Sequence, residues 1–142
     1  GDGVGRADLG AVGYLCREHP QVKFLLTVLA RENQHEAVVL ARKLRNLHLF
    51  GCWWFNNNPS IVEEITRERL EMLGTSFTAQ HSDARVLDQL AYKWAHSRRL
   101  IARALSEKYG YLIDEGWYPT EAEIERDVRL LLGGEFERFV CC

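Results

Sequence analysis

The residues most suited to chemistry lie in residues 75–85 (TSFTAQHSDAR), where a short predicted strand runs into a polar cluster. Alternate side chains of a strand share a face, so His81, Asp83 and Arg85 are predicted to point the same way. A metal ligand, a carboxylate base and a guanidinium would then lie together at the carboxyl end of a strand. In α/β proteins, catalytic groups collect at that end.

A structural role for the same residues is the alternative. Ser82 or Asp83 could cap the helix that follows, with His81 and Arg85 in solvent nearby. The residue types alone leave both interpretations open.

Two other predicted strands also end in polar or aromatic clusters. Residues 31–35 (RENQH) follow the first strand, and residues 53–57 (WWFNN) follow the second. Adjacent residues of a strand face opposite ways, so at most one of Trp53 and Trp54 would enter a pocket and the other would pack outside it. Glu32 and His35 are expected to lie in the first turn of a helix.

The elements that position these clusters are three strand–helix units. Strands are predicted at about residues 23–30, 47–55 and 75–81, because these runs are apolar and bounded by polar segments. Helical periodicity follows each run. Successive units of this kind predict an α/β fold with parallel strands and right-handed crossovers. Since a complete (β/α)8 TIM barrel needs about 250 residues, these 142 residues would form roughly half of one, as a single partial domain, or else a small open sheet.

The helix boundaries follow from local signals. Asp8 is predicted to cap a helix that ends near Glu18, and Asn58 followed by Pro59 starts another that ends at Gly74. A helix is expected from about Val86 to Lys108. Its predicted buried stripe contains Leu87, Leu90, Ala91, Trp94, Ile101 and Leu105, with Lys93 off the stripe. The capping box of residues 120–123 (TEAE) predicts a last helix with Ile124, Val128 and Leu131 inward.

Composition excludes several functional classes. The formal net charge of −2 gives no reason to expect nucleic acid or an anionic membrane surface as a partner. No apolar run approaches the roughly 20 residues needed to span a bilayer. The four cysteines (Cys16, Cys52, Cys141 and Cys142) suit neither a zinc knuckle nor a disulfide framework, so reduced thiols in a cytoplasmic protein are expected.

Three motifs together resemble one enzyme family. Residues 50–56 (FGCWWFN), 70–74 (LEMLG) and 80–85 (QHSDAR) are similar to the C-terminal part of uronate (glucuronate) isomerases, which belong to the amidohydrolase superfamily of metal-binding (β/α)8 barrels. The resemblance extends over nearly the whole chain. It implies that the three strands are the sixth, seventh and eighth of a barrel.

The resemblance also implies an activity and a set of site residues. The family converts D-glucuronate to D-fructuronate and D-galacturonate to D-tagaturonate by aldose–ketose isomerisation. Asp83 matches the proton-transferring residue at the metal site, Arg85 a residue that binds the substrate carboxylate, and Trp53 and Trp54 the pocket wall. The His-x-His metal ligands of the family are absent from this sequence. A divalent metal, zinc by resemblance, would therefore bind this chain weakly, with its other ligands elsewhere.

Two rival functions remain open at this stage. One is a metal-dependent hydrolase of the same superfamily, in which Asp83 activates a metal-bound water. The other is a non-catalytic fragment that associates with itself or with a missing N-terminal half, because half a barrel exposes two strand edges and an apolar interior. A carboxylate-binding Arg85 favours the isomerase, with a uronic acid sugar as substrate.

Overall fold

The computed structural model describes residues 6–51 and 58–141. Within these residues, six α-helices accompany a small parallel sheet and two short non-α helical turns. In chain order the elements are α1 (Leu9–Glu18), β1 (Phe24–Leu26), a 3-10 turn (Arg31–Asn33), α2 (Gln34–Lys43), β2 (Leu47–Leu49), α3 (Pro59–Leu73), α4 (Leu87–Asp114), α5 (Glu121–Arg129), a π turn (Leu130–Gly134) and α6 (Glu135–Cys141).

The sheet confirms the predicted parallel order of the strands. Phe24 pairs with Leu47 and Leu26 with Leu49 in a parallel register. Thr78 forms a further parallel bridge with Phe50, and its N–H donates to the carbonyl of Leu49 over 3.0 Å. The three segments therefore lie side by side in chain order, joined by helical connections.

The strands are shorter than the sequence predicts. β1 covers three residues rather than residues 23–30, and the predicted strand at 75–81 is reduced to the bridge at Thr78. Residues 52–55 of the second predicted strand lie outside the described residues. One contact explains why the third strand is so short. The N–H of Ala79 donates to the carbonyl of Leu131 in the π turn over 3.0 Å. A helical turn, and not a strand, pairs with Ala79 at that point.

The helix ends confirm most of the predicted local signals. The Asp8 carboxylate accepts from the N–H groups of Gly10 and Ala11 at the start of α1. Thr120 and Glu123 form the reciprocal capping box of α5. Helix α3 starts at Pro59 after Asn58, although the Asn58 side chain makes no capping hydrogen bond. Gly74 ends α3 with a φ of 61°, a conformation that favours glycine.

The main core lies where the helices cover the sheet. Its buried members come from α1, the segment after β1, α2, β2, the third extended segment, α4 and the π turn: Leu9, Val28, Ala37, Val38, Leu49, Phe77, Ala79, Ile101, Leu105 and Leu131. One apolar cluster thus runs from the first helix to the C-terminal turn, and it holds the strand ends in place. Among the described residues, no helix is long and apolar enough to cross a membrane.

Helix α4 corrects three predictions. It continues through Gly110 to Asp114 instead of ending near Lys108. Its first two turns do not bury their apolar stripe, since 81% of Leu87 is exposed and Leu90 and Ala91 are exposed as well. Lys93, which the sequence predicts to lie off the buried stripe, is itself buried. The predicted stripe stays exposed because no described element covers the face that carries Leu87, Leu90 and Ala91.

Helix α5 differs in a similar way. Leu131 is fully buried, but Ile124 and Val128 are exposed. The hydroxyl of Tyr109 on α4 donates to Asp127 Oδ2 over 2.8 Å. The Asp127 side of α5 therefore faces α4, and the predicted apolar face does not.

Candidate functional site

The end of β2 and the third extended segment meet at Gly51 and His81. Gly51 has a φ of 64°, and a Cβ added to it would lie 1.7 Å from His81 Cδ2. The rings of His81 and Phe50 are 5.1 Å apart between centroids. Only glycine satisfies both the backbone conformation and the close approach of the imidazole.

A buried arginine fixes the same strand end. Arg69 of α3 is 1% exposed, and its Nη1 donates to the carbonyl of Gly51 over 2.7 Å. Its Nη2 donates to Gln34 Oε1 over 3.0 Å, while Gln34 Nε2 donates to the carbonyl of Val28 over 3.0 Å. This chain of hydrogen bonds ties Val28, two residues beyond β1, to Gly51, two residues beyond β2. The relative positions of the two strand ends are therefore set by buried polar groups.

His81 is half-buried beside this network. Burial lowers the pKa of His81, the nearby Asp83 carboxylate raises it, and the charges of Arg69 and Lys93 lower it. Its Nε2 is buried and has no hydrogen-bond partner among the described residues. Burial therefore favours the neutral form of His81, whose ring packs against Gly51.

The segment after His81 is irregular rather than a strand. Asp83 has a φ of 44°, so His81, Asp83 and Arg85 do not alternate as the strand pattern predicts. Asp83 and Arg85 are exposed and His81 is half-buried. The turn at Asp83 is the physical reason for this correction.

The capping alternative for Asp83 is also not observed. Helix α4 begins at Leu87 with Val86 at its N-cap position, and no side chain caps it. The carbonyl of Asp83 accepts from Lys93 Nζ over 2.9 Å. No described carboxylate pairs with the Arg85 guanidinium, and the Arg85 N–H donates to Gln89 Oε1 over 2.9 Å. The exposed carboxylate and guanidinium are available to a ligand.

The cluster after β1 is divided between the surface and the core. Arg31 pairs with Glu64 over 2.6 Å and the exposed His35 pairs with Glu68 over 2.5 Å, both on α3. Asn33 is buried, and its side chain exchanges hydrogen bonds with the backbone of Ala7. His35 therefore lies on the helix surface, as the sequence predicts.

The two residues of the predicted aromatic wall, Trp53 and Trp54, lie outside the described residues. They follow directly on Gly51 and Cys52, so they come immediately after the strand end that Arg69 holds.

The described residues supply only part of the ligand set that a divalent cation needs. Among them, no group of three His, Cys, Asp or Glu side chains could hold a metal ion. Asp83 offers one exposed carboxylate, and one carboxylate does not make a firm site. The residues in this part of the chain do not by themselves fit the cation that the resemblance implies.

Sequence reasoning did not identify Arg69 and Lys93. A signal for Arg69 exists, since it continues the buried spacing of Val62, Ile65 and Thr66 on α3. A charged residue on a buried stripe needs a polar partner, and that need marks it for attention. Lys93 has a similar signal, because it precedes the buried Ser97 by one turn.

Comparison with solved structures gives an informative match. The chain matches no family model and no curated protein. A crystal structure of a uronate isomerase from Bacillus halodurans C-125 is 60% identical in sequence and superimposes with a TM-score of 0.94. The match covers 99% of this chain and 33% of that one, so this chain spans about a third of its length. The resemblance to the uronate isomerases that the sequence motifs indicate is therefore confirmed along nearly the whole chain.

Proposed function

We propose that this chain is the C-terminal portion of a uronate isomerase and that its three parallel segments belong to a (β/α)8 barrel. The supporting observation is the 60% identity to a uronate isomerase with a TM-score of 0.94. The side-by-side order of β1, β2 and the Thr78 segment is what consecutive βα units of a barrel would give. The carboxyl ends of these strands would then form part of the rim on which a barrel carries its active site.

The proposed reaction is aldose–ketose isomerisation, D-glucuronate to D-fructuronate and D-galacturonate to D-tagaturonate. In such a reaction C2 and its hydroxyl each lose a proton, C1 and its oxygen each gain one, and the carbonyl moves from C1 to C2. A side chain that can accept and return a proton is required, together with a cation that holds the substrate carboxylate.

Asp83 and Arg85 are the proposed residues for these two tasks. Both are exposed on the segment that follows the third strand end. Asp83 would carry the proton between a hydroxyl and a carbon of the open-chain sugar. Arg85 would bind the C6 carboxylate through two parallel N–H donors, a geometry that lysine does not provide. Trp53 and Trp54 are proposed as the pocket wall.

A divalent metal, zinc by resemblance, is proposed with Asp83 as one ligand and the remaining ligands outside this chain. When bound, it would polarise the oxygens of the sugar. Asp83 is one carboxylate of the set, so removal of the metal should not unfold the part of the chain described above.

The partner of this chain is proposed to be the remainder of the barrel or a second copy of the chain. Leu87, Leu90, Ala91, Trp94 and Leu132 line an open apolar groove at the start of α4. The match covers a third of the similar enzyme, and the other two thirds of that enzyme's length could supply the surface that covers such a groove. We expect the groove to be buried in the complete enzyme.

The test is substrate turnover by the complete enzyme. D-glucuronate and D-galacturonate should be converted to their ketoses, whereas amide and ester substrates of superfamily hydrolases should not be cleaved. Hydrolysis without ketose formation would replace the isomerase with the hydrolase alternative. Absence of both activities would favour a non-catalytic role.

A further inference from the structure

A buried lysine contacts the backbone of the proposed catalytic residue. Lys93 on α4 is 7% exposed, and its Nζ donates to the carbonyl of Asp83 over 2.9 Å. Lysine is among the residues least often buried, because its ammonium loses hydration there. The burial of Lys93 thus depends on polar partners, and the carbonyl of Asp83 is one of them.

The backbone that Lys93 contacts is in an unusual conformation. Asp83, with a φ of 44°, is the single non-glycine residue with positive φ in residues 6–51 and 58–141. Aspartate tolerates the left-handed region better than most residues, but a chain adopts it reliably only where surrounding contacts enforce it. The hydrogen bond from Lys93 fixes the peptide plane on the C-terminal side of Asp83. That plane and the φ value together set the direction of the Asp83 side chain.

The lysine is itself anchored in a rigid element. Lys93 lies in the second turn of α4, and Ser97 Oγ donates to its carbonyl over 2.7 Å. Ser97, Leu100 and Ala104 continue the buried face of this helix beyond it. A contact made from a packed helix restrains a loop far better than a contact made within the loop.

Direct contact between Lys93 and a ligand is disfavoured. The side chain is buried, and its ammonium is oriented at a backbone carbonyl. Lys93 would therefore influence chemistry through the position of Asp83, whose carboxylate is exposed.

We propose that Lys93 is a positioning residue for Asp83: its ammonium holds the Asp83 backbone in the left-handed conformation that presents the carboxylate to the substrate. This inference rests on the proposed function, in which Asp83 transfers a proton. Misplacement of a reacting group by about 1 Å can cost about 100-fold in rate. Lys93 should accordingly affect the chemical step more than substrate binding.

The test is a double-mutant cycle in the complete enzyme, with D-glucuronate as substrate. Lys93→Met keeps the length and much of the volume of the side chain but removes the donor. We expect kcat to fall about 10- to 100-fold while KM changes by less than about threefold. In an Asp83→Asn background, Lys93→Met should change kcat by less than about twofold, because the carboxylate it positions is already absent.

The control is Lys108→Met. Lys108 lies on the same helix and forms an ion pair with Glu71, away from Asp83, so kcat should stay normal. If Lys93→Met does not fold, Lys93→Gln is the second variant, because glutamine keeps a shorter donor. Its fall in kcat must likewise vanish in the Asp83→Asn background. A loss that persists undiminished in that background, or that falls equally on KM, would overturn the positioning role. Asp83→Asn with normal turnover would instead remove the proton-transfer role on which the inference rests.

Discussion

His48 lies in the buried middle of β2. It is 3% exposed, its Nε2 is 2.8 Å from Thr78 Oγ1, and its ring stacks on Phe139 of α6 with centroids 4.9 Å apart. Burial, with the charge of Arg69 as a second cause, lowers the pKa of His48 to about 4. A single neutral imidazole therefore connects β2, the third extended segment and the C-terminal helix.

This depressed pKa predicts a loss of stability in acid. The unfolded chain protonates this histidine near pH 6.5 and the folded chain only near pH 4, so the unfolded state binds more protons between these values. The contribution of neutral His48 to the free energy of unfolding should be fully present above pH 6.5. It should fall by up to about 3 kcal/mol as the pH drops to 4. Urea unfolding of the complete enzyme across this range measures the effect.

The matched comparison is between His48→Gln and His19→Gln. The first should flatten the acid dependence in this pH range, whereas the second changes an exposed histidine and should leave the curve as it was. Equal slopes for His48→Gln and the unmodified protein would show that another group causes the acid sensitivity.

At the scale of elements, α3 is held to the sheet by Arg69. Its hydrogen bonds reach the carbonyl of Gly51 and, through Gln34, the chain after β1. Each acceptor that loses its donor in a buried place costs about 1–3 kcal/mol. The helix thus contributes polar anchoring as well as apolar packing.

Arg69→Met should therefore destabilise the protein by about 2–4 kcal/mol, since methionine keeps much of the packing but leaves two buried acceptors unpaired. Arg67→Met is the control on the same helix. Arg67 pairs with Glu107 at a partly exposed position, and such pairs contribute at most about 1 kcal/mol. Thermal unfolding of both variants measures the difference. Equal decreases in unfolding temperature would show that the buried network is not an anchor.

Local signals predicted the elements better than the site. Asp8, Pro59, Gly74 and the Thr120 capping box mark their helix ends because the groups concerned are close in sequence. The left-handed turn at Asp83 was not predictable in this way, since its contact comes from Lys93, ten residues further along α4.

The start of α4 departs from its predicted buried face for a different reason. Its periodic pattern indicates a buried face, but no described element covers Leu87 or Leu90. Periodicity shows that a face needs a partner and does not show where that partner lies. The resemblance to uronate isomerases is what predicts site roles for Asp83 and Arg85, because spacing alone leaves Asp83 open to a helix-capping role and Arg85 to solvent.

For the whole molecule, the groove at the start of α4 predicts association. These 142 residues by themselves should self-associate, because the groove and the exposed apolar residues near it have no cover within the described chain. Sedimentation velocity should give species larger than a monomer, and Leu87→Lys should shift the distribution toward the monomer. A compact monomer with cooperative unfolding would contradict the partial-barrel proposal.

The most direct measurement of the central claim is the turnover of D-glucuronate by the Asp83→Asn complete enzyme. Asparagine keeps the size of the side chain and tolerates the left-handed conformation, but it cannot act as a base. We predict that kcat falls by about 10²–10⁴ with an unchanged unfolding temperature. Arg85→Lys is the companion variant, and its loss should appear mainly in KM. Near-normal turnover by Asp83→Asn would contradict the assignment of Asp83 as the proton-transferring residue.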